Sequence, residues 1–142
     1  MNQTEVIESY IRETQKKFNY NTVDYPLEYF LDKVSKEDIK QLQWSNEQQS
    51  YFIESLLMGL PVLNIIISDR EEIIDGRQRL YSAINFINNN LKLVNIKQLS
   101  AMNDFSFSDL IPSRQRSFKR ITVRATQTVP NADISQWQYL VN

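Results

Sequence analysis

A mixed α+β fold is what this sequence predicts, and three observations predict it. Segments with helical periodicity are interspersed with short β-branched runs, rather than segregated from them. The runs "VLNIIIS" (62–68) and "ITVRATQTV" (121–129) have strand length and strand composition, and turn signals flank the first. At 142 residues, 42% hydrophobic and 23% charged, the chain has the size and composition of one globular domain with a single core. The expected organisation is a helical extension over residues 1–23 followed by a compact part over 24–142.

Taken in order, residues 5–18 put Val6, Tyr10, Ile11 and Phe18 on one loose face, which predicts a weakly amphipathic helix. "NYNTVD" breaks it. Pro26 then opens a short helix, "PLEYFLDKV", since proline fits a first turn. "DIKQLQW" (38–44) alternates imperfectly at Ile39, Leu42 and Trp44 and reads as a weak strand. A firm helix follows: Ser45 and Gln48 have capping-box spacing, and Phe52, Ile53, Leu56 and Leu57 supply the apolar face. Gly59 and then Pro61 stop it. "VLNIIIS" is a buried strand, "DREE" a turn and "EIID" a second strand. Between residues 77 and 89, Leu80, Ala83, Ile84 and Ile87 share a helical side. "LKLVNI" (91–96) reads as a strand, and "MNDFSFSDLIP" (102–112) as a turn-rich connection that buries alternate aromatics. "PSRQRSFKR" (112–120) reads as a short basic helix, "ITVRATQTV" as a strand and "DISQWQYLV" (133–141) as a last helix. Trp44 and Trp137 are expected in the core.

Two absences narrow the chemistry. Without cysteine, disulfides, thiolate nucleophiles and cysteine-held zinc or iron–sulfur sites are excluded. Without histidine, the usual neutral-pH base is missing, and with it any Ser-His-Asp or His-Me nuclease mechanism within this chain. Catalysis would fall to carboxylates, Arg/Lys, Ser/Thr or Tyr. No apolar run approaches the ~18–20 residues of a membrane span, and the polar, acidic start has no signal-peptide core. A cytoplasmic location with no membrane partner is expected.

Charge divides within one motif. Residues 1–75 hold 14 acids and 7 bases, whereas residues 76–142 hold 3 acids and 9 bases. The division falls inside "EEIIDGRQRL" (71–80). Here a strand must turn at Gly76 and start a helix near Arg77. A helix start offers unpaired N–H groups and the positive end of the dipole, and a glycine lets a ligand approach the backbone. Arg77 and Arg79 add guanidiniums that fork onto phosphate or carboxylate oxygens, and Gln78 adds an amide. Cationic side chains at a helix start oppose the dipole by about 0.3–1 kcal/mol each, so two of them call for a negative neighbour. That neighbour is either a bound anion or Asp75, acting as N-cap and ion-pair acceptor. No phosphate-binding P-loop or GxGxxG pattern is present.

The order "W…QQSYFIESLLMGLPV…EEIIDGRQRLYSAINFI…NDFSFSDLIP…ITV" resembles the N-terminal domain of GmrSD-type modification-dependent restriction enzymes. In that family a tryptophan precedes a "SIL.G.P" helix end, "IDGQQRL" opens the next helix, and an "F.DL" stretch follows. The resemblance covers about residues 24–129, and the two glycines of the chain, Gly59 and Gly76, fall on the two family glycines. It implies a ParB/sulfiredoxin-like fold, a small mixed sheet flanked by helices, over residues 24–142. It also implies a nucleoside triphosphate site, with or without Mg²⁺, and hydrolysis coupled to a separate nuclease of the His-Me finger type. On this resemblance Asp75, Gly76, Arg77, Gln78 and Arg79 are the nucleotide-binding residues, Arg77 standing for a family glutamine, and Asp75 and Arg79 the catalytic pair. The family's "QR" before its tryptophan falls on Ile39 and Lys40, so Lys40 is the remaining basic candidate there. The family continues into an Asn-Thr-Gly-Gly segment, so a truncated or unusually short member is expected.

A second basic element runs over residues 113–124, where Arg114, Arg116, Lys119, Arg120 and Arg124 occur without an acid. It reads as a DNA or protein contact, as a solvated helix facing the acidic half, or, through Arg114 and Arg116 at a helix start, as part of a phosphate pocket. Glu71 and Glu72 read as the exposed part of a hairpin, and no metal site is expected from them.

Overall fold

The computed structural model describes residues 2–141. Helix α1 spans Gln3–Gln15, capped by Asn2, whose side chain accepts from the Glu5 N–H. Strand β1 (Tyr20–Pro26) leads into a 3₁₀ turn at Leu27–Phe30 and a short helix α2, Lys36–Ile39. Helix α3 (Asn46–Leu57), strands β2 (Asn64–Ile67) and β3 (Ile73–Asp75) and helix α4 (Arg77–Ile87) form the middle of the chain. After a long irregular connection come α5 (Pro112–Lys119), β4 (Thr122–Thr128) and α6 (Ile134–Val141). Among the described residues the fold is therefore mixed α+β, as expected. None of its helices is long and apolar enough to cross a membrane.

The four strands form one sheet in the order β1-β4-β2-β3. β4 is central: it pairs antiparallel with β1 and parallel with β2, while β2 and β3 form a hairpin. Alternation decides which face is covered. Val123, Ala125, Ile65 and Ile67 are buried in the core, with Ile73 packed against it, whereas Asp24, Arg124 and Asn64 lie on the opposite, exposed side. The core is completed by Phe52, Ile53, Leu56, Leu80, Ile84, and the edge-to-face trio Phe86, Phe107 and Phe118.

Five expectations need correction. "NYNTVD" is not a break: most of it is strand β1, which also crosses the expected boundary at residue 23. Its polar composition hides a strand that exists because β4 supplies a partner along its whole length. "DIKQLQW" is not a strand. Ser35 and Asp38 form a complete capping box that winds α2, and the chain then turns. "LKLVNI" buries Leu91, Leu93 and Ile96 but joins no sheet. Side chains of α3 hold this stretch and the loop after it: Ser50 accepts from the Val94 N–H, and Glu54 accepts from those of Gln98 and Leu99. Glu71 is half-buried rather than exposed, accepting from the Tyr29 hydroxyl at 2.7 Å and pairing with Lys33 at 3.5 Å. Pro26, finally, ends β1 and precedes the short 3₁₀ turn instead of opening a full helix.

Candidate functional site at the β3–α4 corner

The corner is built around Gly76. Its φ of 97° is left-handed, and it is the N-cap of α4 with no side-chain cap. A Cβ there would lie 2.9 Å from Ile65 Cγ2, 3.0 Å from the Asn64 carbonyl oxygen and 3.1 Å from Ile65 Cα. Glycine is thus required twice, by backbone conformation and by the closeness of β2. Asp75 is not the N-cap. The first closed bond runs from the Leu80 N–H to the Gly76 carbonyl, so the N–H groups of Arg77, Gln78 and Arg79 have no partner within the described residues. This is a dipole end with three free donors.

The two arginines part company. Two residues along a helix is a rotation of about 200°. The Arg77 guanidinium turns back to donate to the Ile73 carbonyl at 3.0 Å. There it borders a second cavity of about 420 Å³ that also holds Lys33, Asp38, Glu71, Glu72 and Tyr81. Burial, and next the charge of Asp38, raise the Tyr81 phenol above its ordinary range, while Arg77 opposes the shift. Arg79 remains exposed, with only a long 3.5 Å contact to the Asn64 carbonyl. The carboxylate of Asp75 forms no ion pair with either arginine among the described residues. Asp75, Gly76, Arg77, Gln78 and Arg79 line a pocket of about 340 Å³ together with Trp44 and Gln138.

Gln78 is engaged elsewhere than at the free N–H groups. Its Oε1 accepts from the N–H groups of Gln43 at 2.6 Å and Trp44 at 3.0 Å, and its Nε2 donates to the Gln41 carbonyl at 3.1 Å. Lys40 is not brought to the pocket: it pairs with Glu37 at 2.9 Å on the exposed side of α2. Trp137 is buried as expected, with Phe18 edge-on to it, but Trp44 is only half-buried and forms a wall of the pocket. Trp44, Gln138 and the carbonyl of Asn64 are site neighbours that sequence reasoning missed. Trp44 alone left a signal, sitting immediately before the Ser45 cap.

The second basic element does not hold together as one patch. Arg114 and Arg116 lie on α5 and Arg120 at its C-cap, with Lys119 over the Phe107 ring at 5.8 Å. Arg124 lies on β4 and forks onto Asp24 of β1 at 3.0 and 3.1 Å. That bond holds the Asp24 carboxyl below its ordinary range and raises Arg124 in turn. No cluster of three or more potential metal-ligating side chains exists among the described residues.

A mixed sheet whose strand turns through a left-handed glycine into an arginine-bearing helix start defines a small α+β domain with an electropositive corner. The family model of the GmrSD restriction endonuclease N-terminal domain matches residues 40–140, and the chain belongs to that family of restriction-system components. No curated protein and no solved structure gives a significant match. The matched span includes the whole corner but leaves out α1, α2 and β1.

Proposed function

We propose that the β3–α4 corner holds the phosphates of a nucleoside triphosphate, and that occupancy regulates a nuclease domain or subunit of the same restriction system. The observation that carries this reading is the conjunction at Gly76. Three free N–H groups follow a glycine that presses the corner against β2, beside an Arg79 that no protein carboxylate neutralises. The donor set fits a polyphosphate. Asp75 is the one carboxylate in the pocket and has no ion-pair partner. Mg²⁺ suits a site of one carboxylate plus substrate phosphates, so a Mg²⁺ carried by the nucleotide would find Asp75 as its protein ligand. In hydrolysis Asp75 would orient water or metal and Arg79 would stabilise charge on the transferred phosphoryl group. Arg77, turned away in this structure, is the reserve cation.

Calorimetric titration of ATP, GTP, CTP and UTP, with and without Mg²⁺, tests the reading. Binding of at least one of them is expected, weakened about 10- to 100-fold by Arg79→Ala, as for loss of one charge-assisted contact. No binding of any of the four would falsify it. The four cations of α5 and its C-cap, none of them in an ion pair among the described residues, favour DNA as the second reading. In that case salt-dependent DNA binding is lost in Arg116→Ala/Arg120→Ala while nucleotides have no effect.

A further inference from the structure

Beyond the phosphate donors, the pocket has one aromatic wall. Trp44 packs edge-on against Phe52, with centroids 5.8 Å apart and planes at 66°. What that contact leaves open lines the same cavity as Gly76 and Arg79. The ring is not occupied by a protein cation: the two cation–π contacts among the described residues involve Tyr29 and Phe107. A half-open indole beside an unneutralised arginine and three free N–H groups offers a stacking surface next to a polyphosphate cradle.

The loop that carries Trp44 has no helix or strand of its own between α2 and α3, yet the residue is held on both sides. Gln78 accepts from its N–H, and Gln49 donates to its carbonyl at 2.9 Å. Gln78 also binds Gln43 and Gln41, so three of its bonds fix the loop. An amide committed in this way positions the loop instead of serving as a phosphate ligand. Because Gln78 lies between Arg77 and Arg79 on the first turn of α4, the stacking surface and the N–H donors are tied together by a single side chain.

We propose that Trp44 is the platform on which the base of the bound nucleotide stacks, and that Gln78 is its positioning residue. The ligand class is then a nucleoside polyphosphate recognised by its aromatic base as well as its charge, with purines favoured for their larger π-face. This rests on the phosphate reading above, and the experiment separates the two. Affinities for ATP and for inorganic tripolyphosphate are measured side by side, with indole fluorescence recorded during both titrations. Base–aromatic stacking predicts that ATP binds about 5- to 100-fold tighter than tripolyphosphate, and that ATP alone changes the emission. Trp44→Leu brings the two affinities together and abolishes the emission change. Gln78→Leu does the same to the ratio, while Gln78→Glu, which keeps an oxygen for the two accepted bonds but sets a second oxygen against the Gln41 carbonyl, restores the ratio in part and weakens both ligands through its added charge. Equal affinities in the wild type, or a ratio that survives Trp44→Leu, overturn the platform and leave the phosphate site standing. Failure of both ligands to bind removes the phosphate site and the platform with it. Should Trp44→Leu not fold, the ratio and the emission of the wild type decide alone.

Discussion

At the β3–α4 corner, Gly76 sits within contact distance of the backbone of β2 and Gln78 reaches across to a separate loop. The 13 residues of α1, by contrast, bury no side chain at all. Val6, Ile7 and Tyr10 are each at least half exposed. With Ile11 they form an apolar side that ends at a cavity of about 830 Å³ between the first and last helices. α1 is held by its Asn2 cap and by its continuity with Phe18, which leans on Trp137. One region is fixed by long-range contact and the other by local bonds. Short helices without tertiary burial are marginal in water, so the difference is one of energetics as well as appearance. The family match follows the same division, covering the corner and omitting α1.

Substitutions that attack the contrast have an expected order. Gly76→Ala is the largest: a left-handed non-glycine residue pressed against the β2 backbone should cost about 3 kcal/mol or more, from strain and overpacking together. Gly59 also has a positive φ, 79°, but nothing lies within 4 Å of its added Cβ. Gly59→Ala should therefore cost only about 1 kcal/mol. Urea denaturation of both variants checks this, and equal losses would show that close approach is not what demands glycine at Gly76. Next comes Glu54→Ala, which strips the Gln98 and Leu99 N–H groups of their acceptor. A loss of about 2–3 kcal/mol is expected, read from the same transitions.

Ile7→Ser on α1 should change stability by no more than about 0.5 kcal/mol. Amides of α1 should exchange with solvent far faster than those of α3 and α4. Strong protection of α1 by hydrogen exchange would mean that something covers its apolar side. The smallest effect belongs to Asp24 and Arg124, whose side chains are both exposed and screened by salt. Because the folded pKa of Asp24 is lowered, the contribution of the pair is present above the unfolded value of about 3.9 and is lost as pH falls through the folded one. Carboxyl NMR titration should show Asp24 moving back toward about 3.9 in Arg124→Gln.

How much of this was legible follows from where each signal resides. Helix α3 carries its capping box and its Gly-Pro stop within its own segment, and the glycine corner announces itself in five consecutive residues. Strand β1 does not, because its polar residues become a strand only through β4. α2 was obscured by the alternation of Ile39, Leu42 and Trp44, which suits a strand face as well as a helix leading into a turn. Local pattern could not reveal that Gln78 binds a loop 34 to 37 residues away. The divergence of Arg77 and Arg79, however, was available from helix geometry alone, since residues two apart point in nearly opposite directions.

The central position of β4 has a consequence for synthesis. Asp24 and Arg124 are 100 residues apart, and at about 5–20 residues per second that interval takes on the order of 5–20 s on a ribosome. Until it has passed, β1 and the β2–β3 hairpin are separate pieces with the gap between them unfilled, and the loop closures that join them are slow ones. The glycine corner is thus translated early but supported late, because β2 gains its parallel neighbour only once β4 has arrived.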